Sequence, residues 1–225
     1  MTDKPPIDFD AFFAPSSVAV VGASTRPDAV GHALLRNLLY GSTGTGVEER
    51  AAGFPGKVFA VNVKGGEVLG QTAHASLTAI GEPVDLVCIA VPPRFVNAVV
   101  EEAGGLGTKA IIVISAGFAE MGAEGKALQD EVVATAHRHG MRVIGPNCLG
   151  VMRPKSGLNA SFGAAAPIDG PIGLLSQSGA LITGVVSYAE REKFGLSATV
   201  SLGAKSDVDD DDILRFFDAD EGTKA

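Results

Sequence analysis

The residues best suited to chemistry in this chain are small and hydroxyl-bearing side chains that follow an apolar run. Ser17-Val18-Ala19-Val20-Val21 leads directly into Gly22-Ala23-Ser24-Thr25-Arg26-Pro27. Val18, Val20 and Val21 are β-branched, as a strand buried on both faces prefers. Gly22 lets the backbone turn without a Cβ clash. The helix predicted next carries Leu34, Leu35, Leu38 and Leu39 on one stripe. A strand, a glycine turn and a helix start aim free backbone N–H groups at an anion. The turn therefore reads as a cradle for a nucleotide phosphate, with a plain strand–turn–helix joint as the alternative.

The glycine spacing narrows the nucleotide. A dinucleotide fingerprint needs G-x-G-x-x-G, whose second glycine lets a pyrophosphate approach. Ser24 stands at that second position and the next glycine is Gly31, so the NAD pattern is broken. The second predicted strand, 57–63, should end in an acid that holds a ribose hydroxyl. It ends instead in Asn62, Lys64, Gly65 and Gly66. A lysine there suits an extra phosphate, as on NADP or at the 3′-position of coenzyme A.

Other reactive residue types point to little by themselves. Ser178 lacks the glycines two positions either side that a hydrolase elbow needs. Asp207-Val208-Asp209-Asp210-Asp211-Asp212 lacks the glycine and glutamate of an EF-hand loop, and reads as acids in a helix first turn. Cys148 has no histidine placed beside it by any local pattern, so it reads as a pocket-lining residue rather than a nucleophile. His137 and His139 flank a helix end and read as surface residues. His32 reads as structural or as the edge of a ligand site, and His74 as a solvated loop residue.

The elements that must position these residues follow from the apolar pattern. Strands are predicted at 17–21, 57–63, 85–91, 110–114 and 141–144, with helices between them. Five strand–helix alternations imply an α/β fold with a doubly wound parallel sheet. In such sheets ligands sit past the C-terminal strand ends. The small and polar clusters fall there: Ser24-Thr25, Asn62 with Lys64, Val91-Pro92-Pro93, Ser115-Ala116-Gly117 and Pro146-Asn147-Cys148. Residues 1–14 read as a leader anchored by Phe9, Phe12 and Phe13, and 41–56 as a flexible surface loop. Residues 151–171, rich in Pro, Gly, Ala and Ser, read as a linker or crossing segment. A second unit follows, with strands at 172–175 and 197–202 and helices at 180–193 and from about 209. Two domains are expected, 1–150 and 151–225, the second truncated.

Bulk composition excludes several classes. The chain has 225 residues, 18 basic and 26 acidic, for a formal charge of −8. With no basic run, nucleic acid is not the expected partner. Two cysteines, Cys88 and Cys148, give no disulfide framework and fit a reducing, cytoplasmic setting. The polar start has no signal-peptide core. No apolar run approaches the ~20 residues of a membrane helix, so no membrane association is expected.

Three later motifs carry a resemblance. Gly145-Pro146-Asn147-Cys148-Leu149-Gly150, Leu175-Ser176-Gln177-Ser178-Gly179-Ala180-Leu181 and Ser201-Leu202-Gly203-Ala204-Lys205-Ser206-Asp207 occur in this order. The chain resembles, from about residue 12 onward, the α part of the NDP-forming acyl-CoA synthetases, the family of ADP-forming acetate–CoA ligase and succinyl-CoA synthetase. The resemblance implies a Rossmann-like CoA-binding domain followed by a flavodoxin-like succinyl-CoA synthetase-type domain. It implies a reaction in which acyl-CoA and phosphate give acyl phosphate and CoA, and the phosphoryl group passes through a histidine to ADP. By position, Gly22, Ser24, Thr25 and Arg26 would meet CoA phosphates, and Asn62 and Lys64 the nucleotide end. Val91 and Pro92 would line the adenine or pantetheine path, with Ser115 at the next strand end. Asn147 and Cys148 would lie near the thiol, and Ser178 and Gly179 would bind phosphate.

Two departures stand out. The family has Asn where this chain has Ala204, and none of His32, His74, His137 or His139 lies in a His-Thr-Gly motif. The phosphohistidine and the ATP-grasp part that takes ADP, ATP and Mg are expected outside this chain, on a partner β part or further sequence, in an oligomer. Two other readings remain: a CoA-responsive regulatory module of the kind fused to protein acetyltransferases, and an NADP oxidoreductase supported by Lys64 alone.

Overall fold

A computed structural model of the chain describes residues 4–41 and 53–225. Most of the loop expected at 41–56, and the first three residues of the leader, lie outside the described residues. The leader forms helix α1 (Phe9–Phe13), capped by Asp8, whose carboxylate accepts from the Ala11 N–H at 3.0 Å. Strand β1 (Ser17–Val21) and helix α2 (Val30–Tyr40) follow. Then come β2 (Lys57–Val61), β3 (Glu67–Val68), β4 (Gln71–His74), β5 (Leu86–Ile89) and α3 (Pro93–Gly105). Next are β6 (Ala110–Val113), α4 (Ala123–Arg138) and β7 (Arg142–Ile144).

These seven strands form one sheet in the order β3-β4-β2-β1-β5-β6-β7. All pairings from β4 to β7 are parallel, and only the β3–β4 edge is antiparallel. The residues explain this arrangement. β1, β5 and β6 are buried at every position, as strands covered on both faces must be. Their side chains alternate between two cores. Val18, Val20, Cys88 and Ile112 face the phenylalanines of α1 and the leucines of α2. Ala19, Val21, Val87, Ile89 and Ile111 face Val96 and Val100 of α3 and Val132 and Ala136 of α4. The hairpin β3–β4 was not anticipated, because two- and four-residue strands carry little periodicity. It also moves His74 from the expected solvated loop into a strand, where Nδ1–H donates to the Ala79 carbonyl at 3.1 Å.

The expected linker at 151–171 instead contains two whole or nearly whole strands and the start of a third. Strands β8 (Gly150–Arg153), β9 (Leu158–Ser161), β10 (Asp169–Ser176) and β11 (Leu196–Ser201) form a second sheet in the order β10-β11-β8-β9. β8 runs antiparallel to both β11 and β9. Long-range pairing overrides the weak β-propensity of the Gly, Ala and Ser residues: β9 is fully buried and packs against α2. The second sheet also carries helices α5 (Gly179–Glu192) and α6 (Asp210–Ala219). The leader reaches this unit too, since Phe13 stacks on Phe216 of α6 with ring centroids 4.0 Å apart. No helix among the described residues is long and apolar enough to cross a membrane.

Two expectations about polar residues are corrected. Asp209 and Asp212 do form a capping box at the start of α6, but Asp207 belongs to a buried ion cluster. Its carboxylate accepts from Arg142 Nε at 3.0 and 2.9 Å, from the Val143 N–H at 2.8 Å and from His137 Nε2 at 2.9 Å. Arg142 also donates to Asp212 and to the Pro5 carbonyl. His137 is therefore no surface decoration: the end of α4 lies beside a carboxylate removed from water. His139 likewise donates to Glu101, at 2.9 Å. Removing one member of a buried ion pair leaves an uncompensated charge. Asp207→Ala is expected to lose about 3–5 kcal/mol in urea unfolding; a loss below about 1 kcal/mol would contradict the role given to this cluster.

Candidate functional site

The glycine turn after β1 is built by close backbone approach. Gly22 has φ +97°, and a Cβ there would stand 2.4 Å from the Ala90 carbonyl oxygen. A Cβ on Gly31 would stand 2.0 Å from the Gly22 oxygen. Gly31 thus does the packing work of a fingerprint's third glycine, although it sits nine residues on. Spacing alone hid this.

Internal bonds use many of the groups at this turn. The N–H groups of Gly22 and Ala23 both donate to the Val61 carbonyl, at 3.0 and 3.2 Å. Asn62 Nδ2 donates to the Ala23 carbonyl at 2.7 Å, and its Oδ1 accepts from the Lys64 N–H at 2.9 Å. His32 Nδ1–H donates to the Ser24 carbonyl at 2.8 Å, and Ser24 Oγ accepts from the Arg26 N–H at 3.1 Å. Asn62 and His32 therefore brace the turn. Thr25, Arg26 and Lys64 are exposed beside it.

A cavity of about 700 Å³ opens past the C-terminal ends of β5, β6 and β7. Ala90 to Pro93 line it after β5, Ile114 to Ala116 after β6, and Asn147 to Leu149 after β7. Its other walls are Val30 of α2, Phe162 after β9, and Gly179, Ala180 and Thr183 of α5. Of the residues expected from sequence, Val91, Pro92, Ser115, Asn147, Cys148 and Gly179 share this cavity. Gly22, Ser24, Thr25, Arg26, Asn62 and Lys64 lie at the ends of β1 and β2, outside its wall. Ser178 is also outside it, as the N-cap of α5: its Oγ accepts from the Leu181 N–H at 3.2 Å. The N–H groups of Gly179 and Ala180 begin the helix and have no partner within it.

The three later motifs meet in space. The Ala204 N–H donates to the Pro146 carbonyl at 2.8 Å. Ser206 donates to the Gly145 carbonyl from both its N–H, at 3.1 Å, and its hydroxyl, at 2.8 Å. A Cβ on Gly203 would stand 2.3 Å from the Pro146 oxygen. The Asn147 N–H donates to the Ser115 carbonyl at 2.9 Å, and Leu149 N–H to Ser201 Oγ at 2.9 Å. Ala204 contributes through its backbone, so the turn closes without the asparagine of the wider family. Phe162 and Thr183 lie outside the three motifs and carry no local signal, and Leu149 lies within the first of them as an apolar residue with no assigned role. Asn37 does carry a local signal: it is a polar residue amid the leucine stripe of α2, and it is buried.

The thiols are not poised for attack. Burial pushes the Cys148 thiol up to about 12 and raises Cys88 as well. Cys148 Sγ–H donates to the Val113 carbonyl at 3.3 Å. The thiolate is the reactive form, so both cysteines stay protonated and unreactive well above neutral pH. A thiol reagent at pH 8 is expected to label neither cysteine of the native protein and both after denaturation. Rapid native labelling of Cys148 would contradict its assignment as a wall residue.

Comparison with known proteins identifies the family and the fold. A model described as CoA binding domain matches residues 16–154, and one described as succinyl-CoA ligase like flavodoxin domain matches 169–225. The chain is 43% identical over 223 residues to the acetate–CoA ligase [ADP-forming] I subunit alpha of Pyrococcus furiosus, covering 97% of this chain and 46% of that one. It is 34% identical to the 4-hydroxybutyrate–CoA ligase [ADP-forming] of Nitrosopumilus maritimus, covering 96% and 29%. Among solved structures, a dinucleotide-forming acetyl-coenzyme A synthetase 1 of Ca. Korarchaeum cryptofilum, in complex with phosphate and ADP, superposes with a TM-score of 0.86 at 39% identity. That match covers 96% of this chain and 44% of the other. The chain thus spans about half the length, or less, of the curated relatives it matches. It belongs to the CoA binding domain family, with that domain joined to a succinyl-CoA ligase like flavodoxin domain.

Proposed function

We propose that this chain is the CoA-binding portion of an ADP-forming acyl-CoA synthetase. It holds CoA or its thioester along the strand ends and brings the acyl carbon to phosphate at the start of α5. The phosphohistidine and the parts that take ADP, ATP and Mg lie outside this sequence, on further chain or a partner subunit. The single observation that supports the reading is the strand order β2-β1-β5-β6-β7. In that order the strand ends carry Lys64, the glycine turn, Val91 with Pro92, Ser115, and Asn147 with Cys148. This is a linear path, and it leads to the first turn of α5.

Each group then has a task. Lys64 meets the 3′-phosphate, and Thr25 and Arg26 meet the pyrophosphate from a turn stiffened by Asn62 and His32. Val91 and Pro92 flank the pantetheine arm. Ser115 Oγ donates to the Val91 carbonyl at 2.6 Å, which fixes this stretch of wall. Asn147 lies exposed near the thioester. The free N–H groups of Gly179 and Ala180 stabilise incoming phosphate and the charge that develops as phosphate oxygen attacks the thioester carbon. The C–S bond breaks, leaving acyl phosphate and CoA thiolate. Cys148, held protonated, does not compete for the acyl group. Two buried free cysteines fit a reducing, cytoplasmic setting.

A thermal-shift comparison of CoA, dephospho-CoA, NADPH and NADH tests this reading. A ligand at 100 times its dissociation constant stabilises by about 2.7 kcal/mol, a rise of several degrees for a chain of this size. CoA is expected to give that shift and NADPH none. Lys64→Ala is expected to weaken CoA about fivefold, the size of an exposed ionic contact of ~1 kcal/mol, and to leave dephospho-CoA unchanged. A shift with NADPH but not CoA would overturn the assignment in favour of a dinucleotide enzyme.

A further inference from the structure

One wall of the cavity is aromatic. Phe162 follows β9, lines the cavity, and packs against both the core beneath α2 and the core beneath α5. Its backbone is clamped from both sides. Asn37 of α2 is 1% exposed, and its Nδ2 donates to the Ser161 carbonyl and the Gly163 carbonyl, each at 2.8 Å. These are the carbonyls on either side of Phe162. Asn37 Oδ1 in turn accepts from Arg36 at 3.3 Å. Ser161 Oγ accepts from the Gly163 N–H at 3.2 Å and donates to Asn159 Oδ1 at 2.7 Å. A buried amide that donates both its N–H groups to two carbonyls across one residue fixes that residue's backbone and hence the direction in which its ring leaves the chain.

The position of the ring gives this clamp a purpose. The Phe162 N–H points to the Leu149 carbonyl, at 3.4 Å, and Leu149 adjoins both Cys148 and the start of α5, where a Cβ on Gly179 would stand 3.1 Å from Leu149 Cβ. In the reading proposed above, on which this inference rests, the thioester sulfur lies by Cys148 and the phosphate by Gly179. The acyl chain leaves the carbon between them, where Leu149 and Phe162 form the wall. We infer that Phe162, positioned by Asn37, sets the length of the acyl chain the cavity accepts, and that this wall disfavours a charged chain end. Apolar walls favour apolar atoms, and burying a second carboxylate against them is costly. One methylene more or less in such a pocket changes recognition about tenfold or more.

Calorimetric binding of acetyl-CoA, butyryl-CoA, hexanoyl-CoA and succinyl-CoA to the protein, with melting temperatures recorded for each variant, tests this. The wild type is expected to bind acetyl-CoA and butyryl-CoA more tightly than hexanoyl-CoA, and butyryl-CoA more tightly than succinyl-CoA. Phe162→Ala is expected to raise the hexanoyl-to-acetyl affinity ratio about tenfold or more, with Phe162→Leu intermediate. Asn37→Ala, which keeps the Phe162 side chain but releases its backbone, is expected to move the ratio the same way, which a merely structural role would not do. A ratio that stays within about twofold of wild type in a folded Phe162→Leu variant overturns the inference while leaving CoA binding intact. Absence of any CoA binding by the wild type overturns the functional reading, and this inference with it.

Discussion

The cavity exists because the Gly145 and Pro146 carbonyls are engaged by the loop after β11. Ala204 and Ser206 supply the donors, and Gly203 comes so close that no side chain fits between. This knot joins the end of the first sheet to the end of the second. The buried carboxylate of Asp207, one residue past Ser206, ties the same loop to Arg142 at the opposite end of β7. A single parallel strand is thus gripped at both ends by one loop of the other unit. The position of α5 relative to the ends of β5, β6 and β7 follows from that grip, and a site assembled from both units requires it.

The remaining bonds serve the same rigidity. Asn62 and His32 are spent on the carbonyls of the glycine turn, and Asn37 on the carbonyls around Phe162. Buried or half-buried polar side chains here mostly hold backbone. Among the described residues, Thr25, Arg26 and Lys64 are exposed at one end of the path and Asn147 at the other. In the proposed reading, recognition falls to these and to helix-start N–H groups, with little conformational entropy lost on binding because the frame is already fixed.

The sequence was legible where one local rule dominated. Runs such as Leu86-Val87-Cys88-Ile89, short, rich in β-branched residues and closed by Pro92-Pro93, read as strands buried on both faces, and the small residues after them mark strand ends. The three motifs were legible as a set because their order is specific. Legibility failed where a partner distant in sequence decides the outcome. Nothing in Leu158-Asn159-Ala160-Ser161 announces a strand, which forms because β8 and α2 cover it. Asp207 reads as one more acid in an acidic run until Arg142 appears beside it. Gly31 reads as a glycine too late for a fingerprint until the helix is seen to lie against Gly22. The cavity wall at Phe162 has no local signature, because the Asn37 side chain that holds it lies more than a hundred residues away in sequence.

The central claim is that one extended ligand runs across the strand ends from Lys64 to the start of α5. Amide hydrogen exchange with and without CoA tests it most directly. The account predicts slowed exchange in 23–26, 63–66, 91–94, 115–118 and 147–149, continuous along the strand order. Slowing confined to a region away from these segments, or present at Lys64 but absent at Asn147, would contradict it.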